Sequence, residues 1–201
     1  MAGTVHAHSL PLTKSVLMSR AAASSATPAA AAARRSVLLT GIILGVGVIG
    51  ALDEAIFHQV LQWHTLLWTD DEHQRILSDG VFHLIALALL VYGAVRLWQT
   101  SSILQGRRDA LIAATLIGAG AFNLYDGLVQ HGLLHLHLVN EYVCANPTAN
   151  NSLASCPSDV PYELAWLAVA TGLLLLGVFR WRNAVAVESS YGNHSRSTYP
   201  S

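Results

Sequence analysis

Four long apolar blocks separated by polar segments dominate the pattern of the chain. They run roughly over residues 37–60, 81–98, 110–134 and 162–179. Each is close to the length of about 20 residues that an α-helix needs to cross the hydrocarbon core of a bilayer. Apolar residues are continuous within a block rather than alternating, which favours helices over a β-barrel. The pattern therefore predicts an all-α protein, a bundle of four transmembrane helices.

Polar segments flank the four blocks at both ends of the chain. Residues 1–36 are rich in Ala and Ser and contain no acidic residue, so we expect them to form a disordered tail. Residues 37–183 then form the transmembrane domain, and residues 184–201 form a second disordered tail. One membrane domain between two tails is the predicted organisation.

The overall composition supports assignment to the integral membrane proteins. Of the 201 residues, 53% are hydrophobic and 11% are charged, whereas a soluble domain carries about 25% charged residues. The lipid bilayer is therefore the expected partner. The net charge is −1, and nothing in the sequence suggests a nucleic-acid partner. Association into a homo-oligomer is compatible with the sequence but is not indicated by it.

Basic residues are distributed unevenly between the two predicted sides of the bundle. One side carries Lys14, Arg20, Arg34, Arg35, Arg96, Arg107, Arg108, Arg180 and Arg182. The loops on the other side carry Arg75 beside several acidic residues. Because cytoplasmic loops are enriched in Lys and Arg, we predict that both termini are cytoplasmic and that the protein lies in the cell (inner) membrane. The loops near residue 70 and at 138–160 then face outward.

The chain has two cysteines, Cys144 and Cys156, and both lie in the long loop at 138–160. An outward-facing loop is oxidising enough to keep a disulfide. We therefore predict that the two residues are bonded, with two free thiols as the alternative. The closed loop would cover the outer mouth of the bundle.

Histidines and acidic residues gather near the predicted outer ends of the apolar blocks. Polar groups in or beside lipid are costly and usually mark a function. Imidazole combined with carboxylate is the usual ligand set of a transition-metal site. The histidines are His58, His64, His83, His131, His135 and His137, and they are accompanied by Asp53, Glu54, Asp79 and Asp126.

Helical spacing gathers these groups on one half of the first helix and on one half of the third. In the first block Glu54 and His58 lie one turn apart, and in the third block His131 and His135 do the same. We expect the first three helices to meet in one polar chamber in the outer leaflet. The fourth block is apolar apart from Glu163 near its outer end, and it would close one side of the bundle.

Glycines in the first block predict close contacts between helices. Gly47 and Gly50 share the polar half of the helix, where a small residue lets another helix approach. Gly41 and Gly45 lie on another face and predict a second contact.

We predict a site for a transition-metal ion such as zinc, copper or iron, which suit mixed imidazole and carboxylate ligands. Glu54 and Asp126 are also candidates for a general base. We expect His73 and His137 to be amphipathic tips at the membrane interface rather than ligands. The predicted ligands are His58, His83, His131, His135, Asp53, Glu54, His64, Asp79 and Asp126.

Three separated motifs combine glycines, acids and histidines. They run from Gly45 to His64, from Asp79 to His83 and from Phe122 to His137. Together they resemble the DUF2243 family of predicted bacterial and archaeal membrane proteins, over about residues 37–182. The resemblance implies four membrane spans, and it supports treating eight residues as one set: Asp53, His58, His64, Asp79, His83, Asp126, His131 and His135.

Such a site supports more than one function. We expect the protein to bind or handle a metal on its outer face. The alternative is a membrane metalloenzyme, a hydrolase or oxidoreductase that activates a metal-bound water, and the sequence leaves catalysis open. Binding of haem by two histidines is a further alternative, which the excess of carboxylates disfavours. The inner halves of the blocks hold few polar residues, which argues against an ion path.

Overall fold

The computed structural model describes residues 28–145 and 152–197. Four long helices run through these residues, and each is long and apolar enough to cross a membrane. They confirm the predicted all-helical architecture with four candidate spans. The helices are α1 (Pro28–Asp53), α2 (Glu72–Gln99), α3 (Arg108–Tyr125) and α4 (Val160–Ser197), with short helical segments at Glu54–Val60, Ser101–Leu104, Asp126–His131, Glu141–Val143 and Pro157–Asp159.

Two helices extend beyond the predicted boundaries. Helix α1 begins at Pro28, so residues 28–36, which we expected in a disordered tail, are helical. The run of alanines at 29–33 favours a helix in this segment. Helix α4 continues to Ser197, well past residue 183. The rest of the predicted first tail, residues 1–27, lies outside the described residues.

The helices pack in the spatial order α2, α1, α3, α4. Glycines bring the backbones together, as their positions predict: a Cβ at Gly47 would lie 2.6 Å from the backbone N of Leu90 in α2. Gly41 and Gly45 face the backbone of α3 and leave no room for a side chain. The close packing fixes α1 and α3 side by side at the centre of the bundle.

The two ends of the bundle differ in their polar residues. At one end, which we call the arginine end, Arg34 and Arg107 both contact Glu188 of α4, Arg34 at 3.0 Å. The opposite end, which we call the histidine end, holds the segments that follow α1 and α3. There the predicted disulfide is confirmed, since Cys144 and Cys156 are bonded.

Candidate metal centre

Helices α1 and α3 both change into a π-helical turn as they reach the histidine end, at Glu54–Val60 and at Asp126–His131. Hydrogen bonds in a π-helix run between residues five apart, and such turns are frequent at functional sites. They bring His58 over Asp53 and His131 over Asp126, and all four residues are buried.

Each π-helical turn is followed by a residue in the left-handed region. These residues are Gln62, with φ of 53°, and His135, with φ of 52°. That backbone conformation is uncommon for a residue other than glycine. It turns each of the two segments back toward the bundle. The next histidines, His64 and His137, are 0% and 1% exposed.

His58 contacts acidic groups through both ring nitrogens. Its Nδ1 lies 2.9 Å from Oδ1 of Asp79, which also accepts a hydrogen bond from the backbone N–H of Leu66. Its Nε2 lies 3.5 Å from Oδ2 of Asp53. Glu54 adds a third carboxylate, with Oε2 3.3 Å from Nδ1.

His131 has the same arrangement on the other half of the centre. Its Nδ1 lies 2.7 Å from Oε2 of Glu163 in α4. Its Nε2 lies 3.1 Å from Oδ2 of Asp126. Asp79 and Glu163 therefore contact the Nδ1 atoms of the two imidazoles, while Asp53 and Asp126 face the Nε2 atoms.

His64 and His137 donate their Nδ1–H groups crosswise to the backbone. His64 donates to the carbonyl of Val139 at 2.8 Å, and His137 donates to the carbonyl of Leu66 at 2.9 Å. A carbonyl oxygen only accepts, so Nδ1 must carry the proton in both rings. The two rings stack with centroids 4.7 Å apart.

Burial keeps these two imidazoles neutral. It lowers the pKa of His64 to about 4, and it lowers the pKa of His137 well below its ordinary value. A neutral ring with its proton on Nδ1 leaves a lone pair on Nε2, the form in which histidine binds a metal. Nε2 lies 3.9 Å from a carboxylate oxygen in each case, of Asp53 for His64 and of Asp126 for His137.

Several inner atoms are buried without a hydrogen-bond partner. Such atoms are rare in folded proteins, and each calls for an explanation such as an ion. Around the centre, among the side chains that the structure describes, they are Asp53 Oδ1, Glu54 Oε2, His64 Nε2, Asp126 Oδ2 and His131 Nε2. The last two atoms lie 3.1 Å apart but are not aligned for a hydrogen bond. Three triads have ligand atoms within 4.8 Å of one another, namely Asp53–His58–His64, Asp126–His131–His137 and Glu54–His58–Asp79.

The structure brings together seven of the nine predicted ligands and leaves two aside. The side chain of His83 is 57% exposed, and its Nδ1 lies 4.0 Å from Glu54. His135 is exposed, and its Nδ1 contacts the carbonyl of His131. The seven are Asp53, Glu54, His58, His64, Asp79, Asp126 and His131.

Two residues of the centre were not predicted from the sequence to belong to it. We expected His137 at the membrane interface, but it is buried beside His64 and His131. Regular α-helical spacing does not place His137, because the π-helical turn and the left-handed residue His135 change the path of the chain before it. Glu163 was noticed only as a polar end of the fourth block. One signal was present: the spacing Asp-x₄-His-x₅-His occurs at Asp53 and again at Asp126.

Comparison with known proteins identifies the family of the chain. No curated protein and no solved structure matches the chain. A family model described as a predicted membrane protein, DUF2243, matches residues 40–184. This range includes every residue of the centre and confirms the resemblance inferred from the three motifs. The chain therefore belongs to the DUF2243 family of predicted membrane proteins.

Proposed function

We propose that the protein binds transition-metal ions at the histidine end of the bundle. The proposal rests on one observation: four buried histidines direct Nδ1 toward a fixed acceptor. Metal-bound histidines almost always donate their other N–H to a carboxylate or a backbone carbonyl in this way. The proposed ligands are the Nε2 atoms of His58, His64, His131 and His137 with the carboxylates of Asp53 and Asp126.

The donor set supports a borderline divalent metal. Imidazole suits zinc, copper and iron, whereas calcium and magnesium prefer oxygen ligands throughout. We therefore propose zinc, copper or iron as the ion. His83 and His135 stay outside the proposed ligand set because their rings are exposed.

Burial of the ligands supports metal binding or handling as the role of the site. The ligand rings are at most 4% exposed, and residues 138–141 are buried beside them. Burial keeps bulk water away from the ligands, which favours a metal that is held. Each group of one carboxylate and two histidines supplies three protein ligands, as catalytic zinc sites do, so a membrane metalloenzyme is the second candidate. The distribution of Lys and Arg supports an outward orientation of the histidine end.

Metal content of the purified protein tests the proposal. Separate samples of the full chain, in detergent, would be loaded with Zn²⁺, Cu²⁺ or Fe²⁺ and passed through a desalting column, and the metal counted by inductively coupled plasma mass spectrometry. We expect retained zinc in the natural protein and in His135→Ala, which removes an exposed imidazole. We expect loss of most of it in a His64→Ala, His137→Ala double variant. Absence of retained zinc, copper and iron from the natural protein would overturn the proposal.

A further inference from the structure

The first and third helices carry the same motif. The pattern Gly-x-Gly-x₅-Asp-x₄-His-x₅-His runs from Gly45 to His64 and again from Gly118 to His137. Every residue of the second copy lies 73 positions after its counterpart. At this offset the two π-helical turns overlap, and the left-handed residues Gln62 and His135 are exact counterparts.

The second and fourth helices match as well. Asp79 and Glu163 are equivalent, since each holds the Nδ1 of a histidine in the preceding helix of its own half. Further pairs follow at the same offset of 84 positions: Phe82 and Trp166, Ala86 and Ala170, Gly93 and Gly177, and Arg96 and Arg180. The offset is larger than that between α1 and α3 because the loop with the disulfide is longer than its counterpart in the first half.

Contacts between the halves are reciprocal. The backbone N–H of Trp68 donates to Leu136 O at 3.0 Å, and that of Glu141 donates to Trp63 O at 2.8 Å. These residues are equivalent in the two copies, as are those of the crosswise bonds from His64 and His137. Two halves are related by a twofold axis when a contact from one half to the other is repeated, in the reverse direction, by the equivalent residues.

The twofold relation gives the centre two equivalent sets of ligands. Asp53 with His58 and His64 forms one triad, and Asp126 with His131 and His137 forms the other. The Nε2 of the second histidine in each triad, His64 or His137, lies 3.9 Å from an oxygen of the aspartate in the same triad. The triad Glu54–His58–Asp79 does not add a third set, because it reuses His58 and Asp79 already holds the Nδ1 of that ring.

We propose that the centre holds two transition-metal ions, one in each half, on a two-histidine, one-carboxylate triad. This inference rests on the proposed function and specifies it. Each triad has its own carboxylate, whose single negative charge offsets half the charge of one divalent cation. The stacked rings of His64 and His137 place the two sets side by side across the twofold axis.

The number of zinc ions per chain tests the inference. The full chain would be titrated with Zn²⁺ against a competing chelator, with protein measured by amino-acid analysis. Histidines at positions 6, 8 and 194 would be replaced by alanine in every sample, to remove ligands far along the sequence from the centre. We expect two tightly bound ions, and this measurement needs no variant of the centre. One ion per chain would overturn the pair and leave metal binding intact, while no ion in this titration and in parallel ones with copper and iron would overturn both proposals.

Variants of each half test whether each half binds one of the two ions. Asp53→Asn with His58→Ala removes two ligands from the first half, and Asp126→Asn with His131→Ala removes the equivalent two from the second. We expect one ion in each double variant, none in the combined variant and two in the control His73→Ala. Circular dichroism would select variants that keep the helical fold. Retention of both ions, or loss of both, in either folded double variant would overturn the assignment of one ion to each half.

Discussion

At the scale of single residues, the centre depends on which ring nitrogen of each histidine carries the proton. Asp79 and Glu163 fix this choice for His58 and His131, at 2.9 and 2.7 Å. Glu54 is different, because its Oε1 accepts a hydrogen bond from Gln59 and its equivalent in the second half is Gly127. The three carboxylates are thus expected to contribute unequally to metal affinity.

Glu163→Gln is expected to weaken zinc binding about 10- to 100-fold, the usual cost of losing a partner that orients a metal-bound histidine. The amide is a weaker acceptor than the carboxylate and no longer offsets the charge of the ion. Glu54→Gln is the matched control and should change affinity much less. Competition with a chelator measures both. Equal affinities for Glu163→Gln and the natural protein would contradict the orienting role.

Glu141 gives the loop beside the centre a pH dependence. It is fully buried, and burial raises its pKa from 4.5 to about 7. A carboxyl whose pKa is raised in the folded protein contributes most to stability while it is protonated, below about pH 4.5. That stability is lost as the pH rises toward about 7, because the folded state must then hold a buried charge.

Glu141→Gln should therefore be more stable than the natural protein at pH 8 and similar to it at pH 4. A shift from 4.5 to about 7 corresponds to roughly 3 kcal/mol, an upper bound. Melting temperatures of both proteins in detergent across this range provide the measurement, and the difference between them removes the contribution of the histidines. Asp70→Asn, at an exposed loop position, is the control. A constant difference between Glu141→Gln and the natural protein would contradict the assignment.

At the scale of elements, the glycines decide how closely the helices approach. Gly47 faces the backbone of Leu90 in α2, whereas Gly172 in α4 has no atom within 4 Å of an added Cβ. Substitution by alanine should thus lower the stability of the bundle at Gly47 and leave it unchanged or raise it at Gly172. The glycine faces could be predicted from the sequence because a regular helix has a constant angle per residue. The π-helical turns could not, since they depend on the packing of the acids and histidines around them.

Gly47→Ala is expected to destabilise the bundle by about 1–3 kcal/mol, the usual cost of overpacking. Gly172→Ala should leave stability unchanged or raise it by up to about 1 kcal/mol, because alanine favours the helix. Thermal unfolding in detergent compares the two. Equal effects of the two substitutions would show that the close contact of α1 with α2 does not limit stability.

At the scale of the whole molecule, the four helices and the disulfide could be predicted from the apolar blocks and from the position of the cysteines. His137 could not be placed from helical geometry, because it lies beyond the left-handed turn at His135. Comparison of the two halves would have placed it, since its counterpart His64 follows the same spacing. The side of the membrane that each end faces remains a prediction from the basic residues.

That orientation is tested by reporters fused after residue 201. We expect green fluorescent protein to be fluorescent at this position and alkaline phosphatase to be inactive, because fluorescence requires folding in the cytoplasm and phosphatase activity requires export. The same reporters placed within the 138–160 loop should give the opposite pair of results. Active phosphatase at the carboxyl terminus would reverse the orientation and would place the histidine end on the cytoplasmic side.

The crosswise hydrogen bonds of His64 and His137 have a consequence for the order in which ligands bind. Each ring is oriented by a carbonyl that belongs to the opposite half, Val139 for one and Leu66 for the other. Ordering of either imidazole therefore also orders the backbone that its counterpart needs. Occupation of one half should make the other easier to fill, so uptake would be cooperative, with a Hill coefficient above one.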